Sequence, residues 1–301
     1  GNGVAFLRTM NAGLQRLHPG CILAAEDSTN YSGVTRPAAQ GGLGFTCKWD
    51  LGWMHDTLSF MQTGPEYRPE NYHKLTFSML YYPNERYLLP LSHDEVVHGK
   101  ATVLQKMHGE YDGKFPQGRA LYMYMMTHPG KKLNFMGGEF GQLREWDEKR
   151  EQDWDLRRYP LHDGFYHYMA ALNHIYLESP ALWAQDYGAQ GFQWLDCHRE
   201  SQCLYAFERR GGGRRMAAVF NFSGAEQAFE IPAEGSGAQV RLYSDWQPYG
   251  GQTPLGQAPC RLAEIEYRCG ASRSAMEHAA YVIDDGGKTF YVGRAREIYQ
   301  K

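Results

Sequence analysis

Short apolar runs alternate with helix-periodic segments four times between residues 4 and 179, and that rhythm restricts the fold more than any other feature. The runs are CILAAED (21–27), GLGFTCKWD (42–50), RYLLPLS (86–92) and KKLNFMGGEF (131–140). Each is too short for a stable helix and fits a buried strand. The segments around them, 4–17, 51–64, 71–82, 118–128 and 164–179, repeat apolar residues at helical spacing. Pro19-Gly20, Gly64-Pro65, Pro83-Asn84, Pro129-Gly130 and Pro180 stop them. In the first helix Phe6, Leu7, Met10, Leu14 and Leu17 make the apolar face. Strand–helix alternation predicts parallel strands covered by helices. Polar groups gather just past three of the strands, at Glu26-Asp27, His93-Asp94-Glu95 and Glu139. In α/β barrels chemistry sits at those carboxyl ends.

Near residue 190 the pattern changes to short runs such as QCLYAFERR and RRMAAVFNFS, separated by Gly-rich turns. That predicts an all-β sandwich over 186–270 behind an α/β part over 1–185. The stretch 271–301 reads as a β-hairpin turning at Asp285-Gly286-Gly287.

The net charge of −3 over 301 residues argues against a nucleic-acid partner, and no apolar run is long enough to span a membrane. Six scattered cysteines without a CxxC pair read as free thiols in a reducing cytoplasm. Gly1-Asn2-Gly3 carries no secretory signal and reads as a start within a longer chain.

The cluster YLLPLSHDEVVHGK (87–100) invites a metal reading. A zincin helix needs two histidines four residues apart, whereas His93 and His98 are five apart, about 140° around a helix. The spacing gives a metal no support, and no metal or cofactor is expected. Paired carboxylates are the alternative. Glycoside chemistry needs one carboxyl group to protonate the leaving oxygen and another to attack or stabilise the anomeric carbon. Glu26 and Asp94 each follow an apolar strand, and parallel strands would present both at one rim. An acid after a strand can equally cap a helix or a turn, as Asp27-Ser28-Thr29 would.

The blocks AAEDST, GVTRP, GGLGFTCKWDLGWMHDTLSFM, LPLSHDEVVHGK, NFMGGEFGQLREW and QDWDL, in that order, resemble the 1,4-α-glucan branching enzymes of the α-amylase superfamily (glycoside hydrolase family 13). The match runs from the first helix to about residue 255. The resemblance implies the second half of a (β/α)8 TIM barrel followed by the all-β domain. It implies a glycosyltransferase that cleaves an α-1,4-glucan and moves the segment to a 6-hydroxyl by a retaining double displacement. Glu26 matches the general acid/base after barrel strand five. Asp94 matches the acid after strand seven that stabilises the oxocarbenium-like transition state, and His93 matches its sugar-binding neighbour. Glu95 and His98 would support the loop. Trp49, Trp53, Trp146 and Trp154, together with Lys48, fall in matched blocks near the cleft, either as sugar contacts or as packing.

Two departures qualify the match. The family's nucleophile is an Asp after strand four, in a block upstream of this chain's first helix, and no Asp or Glu precedes Glu26 here. The expected partners are therefore an α-1,4-glucan and the missing amino-terminal half, without which the chain should be inactive. The 271–301 tail shows no match and receives no function.

Overall fold

A computed structural model of the protein describes residues 1–225, 227, 230–231, 239–257, 280–284 and 292–293. Helix α1 spans Asn2–Leu17 and leads to β1 (Ala24–Ala25), β2 (Cys47–Trp49) and α2 (Leu51–Gln62). Strand β3 (Tyr87–Leu91), α3 (Tyr111–Thr127), β4 (Lys131–Asn134) and α4 (Pro160–Glu178) follow. The four strands form one parallel sheet in the order β1-β2-β3-β4, the arrangement that the alternation predicts.

The register matters for what the sheet presents. Ala25 pairs with Lys48, Lys48 with Tyr87, and β3 then runs on beside β4 as far as Leu91 opposite Asn134. Strand ends are thus stepped across the sheet. Among the described residues β1 and β4 each have one strand neighbour.

The segment expected as a helix over 71–82 is instead a chain of 3-10 turns at Pro65–Tyr67, Pro69–Leu75, Phe77–Leu80 and Tyr82–Asn84. Its buried residues, Tyr72, Leu75, Ser78, Met79 and Tyr82, recur about every third position, which suits three residues per turn. Apolar spacing alone does not separate that period from 3.6.

Helix α3 is buried on nearly every side from Phe115 to Thr127, as a helix between layers must be. Tyr122 donates to Asn134 of β4 at 3.0 Å. Tyr124 stacks on Trp53 of α2 and meets Phe220 of the second sheet edge-on, with ring centroids 5.7 Å apart. That second sheet is built from β5 (Phe192–Arg199), β6 (Leu204–Gly211), β7 (Arg214–Asn221), β9 (Gln239–Tyr243) and β10 (Ala280–Asp284). It is five-stranded in the order β5-β6-β7-β10-β9, with antiparallel pairs throughout. A two-stranded ribbon joins β8 (Glu230–Ile231) to β11 (Val292–Gly293).

The hairpin expected in the tail takes a different form. Residues 280–284 insert between β7 and β9, and 292–293 pair with β8, so among the described residues these two strands do not pair with each other. The turn at Asp285-Gly286-Gly287 lies outside the described residues.

Helix α1 also differs from expectation. Arg8, Asn11 and Gln15 share one face and donate to the carbonyls of Gly41, Gly42, Leu43 and Gly44, and Leu7 packs on that side. Phe6 and Leu17, each about two-thirds exposed, lie on the opposite face, because the 41–44 loop that covers this helix takes its polar stripe. No helix of the described residues is long and apolar enough to cross a membrane.

Candidate functional site

Glu26 follows β1 directly and is exposed. Its neighbour Asp27 accepts from the Thr29 N–H at 3.1 Å and from the Thr29 hydroxyl, closing an Asx turn rather than capping a helix. Lys48, buried in β2, donates from Nζ to Asp27 Oδ2 and to the Thr29 carbonyl, each at 2.9 Å. Burial pushes the Asp27 carboxyl up, but the hydrogen bonds from Lys48 and Thr29 and the Lys48 charge outweigh it, leaving Asp27 below the usual carboxylate range. Ala25 pairs with Lys48 in the sheet. Glu26 therefore stands between two residues anchored to the same lysine, and Lys48 itself is occupied by protein groups.

His93 and Asp94 start the 3-10 turn that follows β3. His93 Nε2 lies 3.4 Å from Asp94 Oδ1, and both side chains are about half exposed (45% and 49%). The His93 ring rests against Phe135, just past β4, and edge-on to Trp146, with centroids 5.9 and 6.0 Å away. Phe135 and Trp146 pack on each other at 5.2 Å. The structure thus brings His93, Asp94 and Trp146 together at the ends of β3 and β4. No hydrogen bond or ion pair among the described residues joins Glu26 to that group. Glu95 is buried with Lys100 Nζ 3.4 Å from its carboxylate, while His98 is exposed in the same loop.

The remaining tryptophans separate. Trp49 is half-buried at the end of β2. Trp154 is 46% exposed and lies over Phe140 at 4.8 Å, leaving a flat apolar face beside Arg150, Gln152 and Tyr159. Trp53, expected near the cleft, is corrected: it is 1% exposed and packs on Tyr124 and His128. Asp50 caps α2 through the Trp53 N–H at 2.9 Å, so the chain has already turned into a helix whose inner face carries Trp53 to the core.

Sequence reasoning missed the side chains that hold these loops. The Glu85 carboxylate, buried before β3, accepts from the N–H groups of Gly33, Val34 and Thr35 at 2.6, 2.8 and 2.8 Å. Arg144 binds both oxygens of Asp153, with its closest approach at 2.9 Å, and ties the Trp154 segment down. Glu145 accepts from Gly99 and Ala101 N–H groups. No local spacing signals these pairs, because the partners of Glu85 and Glu145 lie more than 40 residues away and Arg144 meets Asp153 across an irregular loop.

Comparison with known proteins bears on kinship and fold. Residues 194–266 match the family described as the alpha amylase, C-terminal all-beta domain. The 1,4-alpha-glucan branching enzyme of Nocardia farcinica is 44% identical over 268 residues, covering 88% of this chain and 36% of that protein. The branching enzyme of Nitratidesulfovibrio vulgaris is 41% identical, with coverage of 88% and 42%. The chain spans 36% to 42% of the length of these two curated relatives. Among solved structures, alpha-amylase from H. orenii aligns at TM-score 0.60 and 13% identity over 94% of this chain and 57% of that one. A debranching enzyme from Nostoc punctiforme aligns at 0.59 and 13% over 96% and 55%. At such identities these two speak for the fold alone. By sequence over 88% of its length the chain is a relative of the 1,4-alpha-glucan branching enzymes, and its 194–266 segment carries the alpha amylase, C-terminal all-beta domain.

Proposed function

We propose that this chain supplies the acid/base half of a 1,4-α-glucan branching enzyme. In that reading residues 1–185 are the second half of a (β/α)8 barrel, 186–270 its all-β domain, and 271–301 a tail without an assigned role. Glu26 donates its proton to the glycosidic oxygen of an α-1,4 bond. It then takes the proton of an acceptor 6-hydroxyl as that oxygen attacks the glycosyl-enzyme. Asp94 faces the developing positive charge of the oxocarbenium-like sugar, and His93 beside it hydrogen-bonds the ring hydroxyls. Retention requires a nucleophilic carboxylate about 5 Å from the acid/base. None of residues 1–25 is acidic, so that group would come from an amino-terminal half docked on the sheet. The substrate would be an α-1,4-glucan, the place of work the cytoplasm, and no cofactor is required.

The supporting observation is that Glu26 and the His93–Asp94 pair follow the carboxyl ends of β1 and β3, two strands of one parallel sheet. Trp146 beside His93 and the exposed face of Trp154 supply apolar surfaces of the kind on which sugar rings stack.

The test is an assay on amylose. The isolated chain forms no new α-1,6 linkages. Co-expressed with the amino-terminal half of a related branching enzyme it forms them, and Glu26→Gln in that complex abolishes transfer while leaving glucan binding intact. Branching by the isolated chain, or transfer surviving Glu26→Gln, overturns the reading. A chain that binds glucan yet gains no transfer from the added half fits the rival reading, a non-catalytic glucan-binding protein. Hydrolysis in place of transfer fits another glucan-acting member of the superfamily.

A further inference from the structure

Beyond β3 the chain passes through the 3-10 turn His93–Val96 and then makes a tight excursion over residues 97–101. Two residues there that are not glycine occupy the left-handed region, His98 at φ 59° and Ala101 at φ 65°, with Gly99 at φ 79° between them. A residue with a Cβ holds that backbone only where its surroundings impose it.

The imposing group is a carboxylate from the segment after β4. Glu145 Oε2 accepts from the Gly99 N–H at 2.9 Å, and Oε1 accepts from the Ala101 N–H at 2.7 Å. Those two hydrogen bonds hold the Glu145 carboxyl below its ordinary range. The next residue, Trp146, donates its backbone N–H to the Val96 carbonyl at 2.9 Å and sets its ring against His93. Lys106 Nζ completes the cage with the carbonyls of Glu95 and Ala101. The 145–146 segment thus closes both ends of the excursion and touches the ring beside Asp94.

We propose that Glu145 is a positioning residue whose carboxylate fixes the backbone of 97–101 and, with Trp146, the seat of His93 and Asp94. Its bearing on transfer rests on the reading of Asp94 and His93 as substrate-facing, whereas its test reads the loop alone and needs no sugar. A failure of one is therefore distinguishable from a failure of the other.

The experiment follows amide exchange at Gly99 and Ala101 and the NMR resonances of His93 and Asp94 in the 301-residue chain. Glu145→Ala is expected to speed exchange at both amides by roughly tenfold or more, as local opening does. It should also move the His93 and Asp94 resonances while leaving the α3 amides protected. Glu145→Gln, which keeps one acceptor oxygen, should protect one of the two amides. Adding Ala101→Gly to Glu145→Ala removes the Cβ from a left-handed position and should return the His93 and Asp94 resonances part of the way. Unchanged exchange at Gly99 and Ala101 overturns the proposal. So does faster exchange with His93 and Asp94 unmoved, because the carboxylate would then hold only its own contact. If Glu145→Ala lowers protection throughout α3, Glu145→Gln is read by the same two criteria.

Discussion

Lys48 reaches from β2 to Asp27 Oδ2 at 2.9 Å, and so ties the residue after Glu26 to the strand beside it. A charged hydrogen bond of this kind typically contributes about 1–3 kcal/mol. Lys48→Met should lose that contribution at neutral pH. The folded Asp27 carboxyl lies below its unfolded value near 4. The bridge therefore stabilises fully above that value and is lost as pH falls through the lower folded value. Urea midpoints for the two proteins should differ at pH 7 and converge toward pH 2. An equal gap at both ends would remove the bridge from the account.

Asp50 shows the opposite sign. Burial raises its carboxyl to about 6, against the hydrogen bonds from the Trp53 N–H and the Tyr81 hydroxyl that lower it. A folded value above the unfolded one means that ionisation costs stability as pH climbs from about 4 through 6, by up to about 3 kcal/mol. Asp50→Asn keeps an oxygen for both donors and removes the charge. It also places an amide N–H₂ where the buried Oδ2 has no hydrogen-bond partner, which costs about 1–3 kcal/mol. The variant should gain on the wild type by about 2–2.5 kcal/mol on moving from pH 4 to pH 8. A difference that does not change with pH would show that Asp50 titrates as it does in the unfolded chain.

Much of this was legible in the sequence, for identifiable reasons. Glycine and proline breakers delimited α2, α4 and the four parallel strands, because a proline ring or a left-handed glycine stops an element whatever it packs against. The 3-10 run over Tyr72 and Tyr82 was not legible, since a period near three mimics a helix. Glu26, His93 and Asp94 were singled out by their place after strands, but the contact of His93 with Trp146 was not. Of the two roles left open for Trp53 the structure gives packing, because four residues after Trp49 lie across a strand-to-helix turn, which sends the two rings to different sides.

Glu85 illustrates what spacing hides, for its carboxylate binds Thr35 across 50 residues of sequence. Three backbone N–H groups converge on it, and removing it strands all three where water has little access. Each unsatisfied buried donor costs about 1–3 kcal/mol. Glu85→Ala should therefore either destabilise the fold by about 3 kcal/mol or more, or open the loop after Glu26 locally. Exchange at the Gly33, Val34 and Thr35 amides tells these apart. Retained protection with a change in stability within about 0.5 kcal/mol would show that other groups replace the carboxylate.

Arg209 ties the second sheet to the end of α3 and, through Asp186, to Lys131 of β4, and its energetics can be isolated. From β6 it donates to Asp186 at 2.8 Å, to the Gly191 carbonyl at 3.0 Å and to the Thr127 carbonyl at 2.7 Å. The last of these is a carbonyl at the end of α3 without a helical partner of its own. Asp186, buried beside it, also accepts from Lys131 at 2.7 Å. Taking one member from a buried pair leaves an uncompensated charge and costs about 3–5 kcal/mol, whereas replacing both with apolar groups can be nearly neutral. Asp186→Leu and Arg209→Met should each destabilise strongly, and the double variant should be more stable than the sum of the single losses implies. The coupling should exceed about 1 kcal/mol in a double-mutant cycle of urea unfolding. Strict additivity would mean that Arg209 acts through the Gly191 and Thr127 carbonyls, with Asp186 serving Lys131 alone.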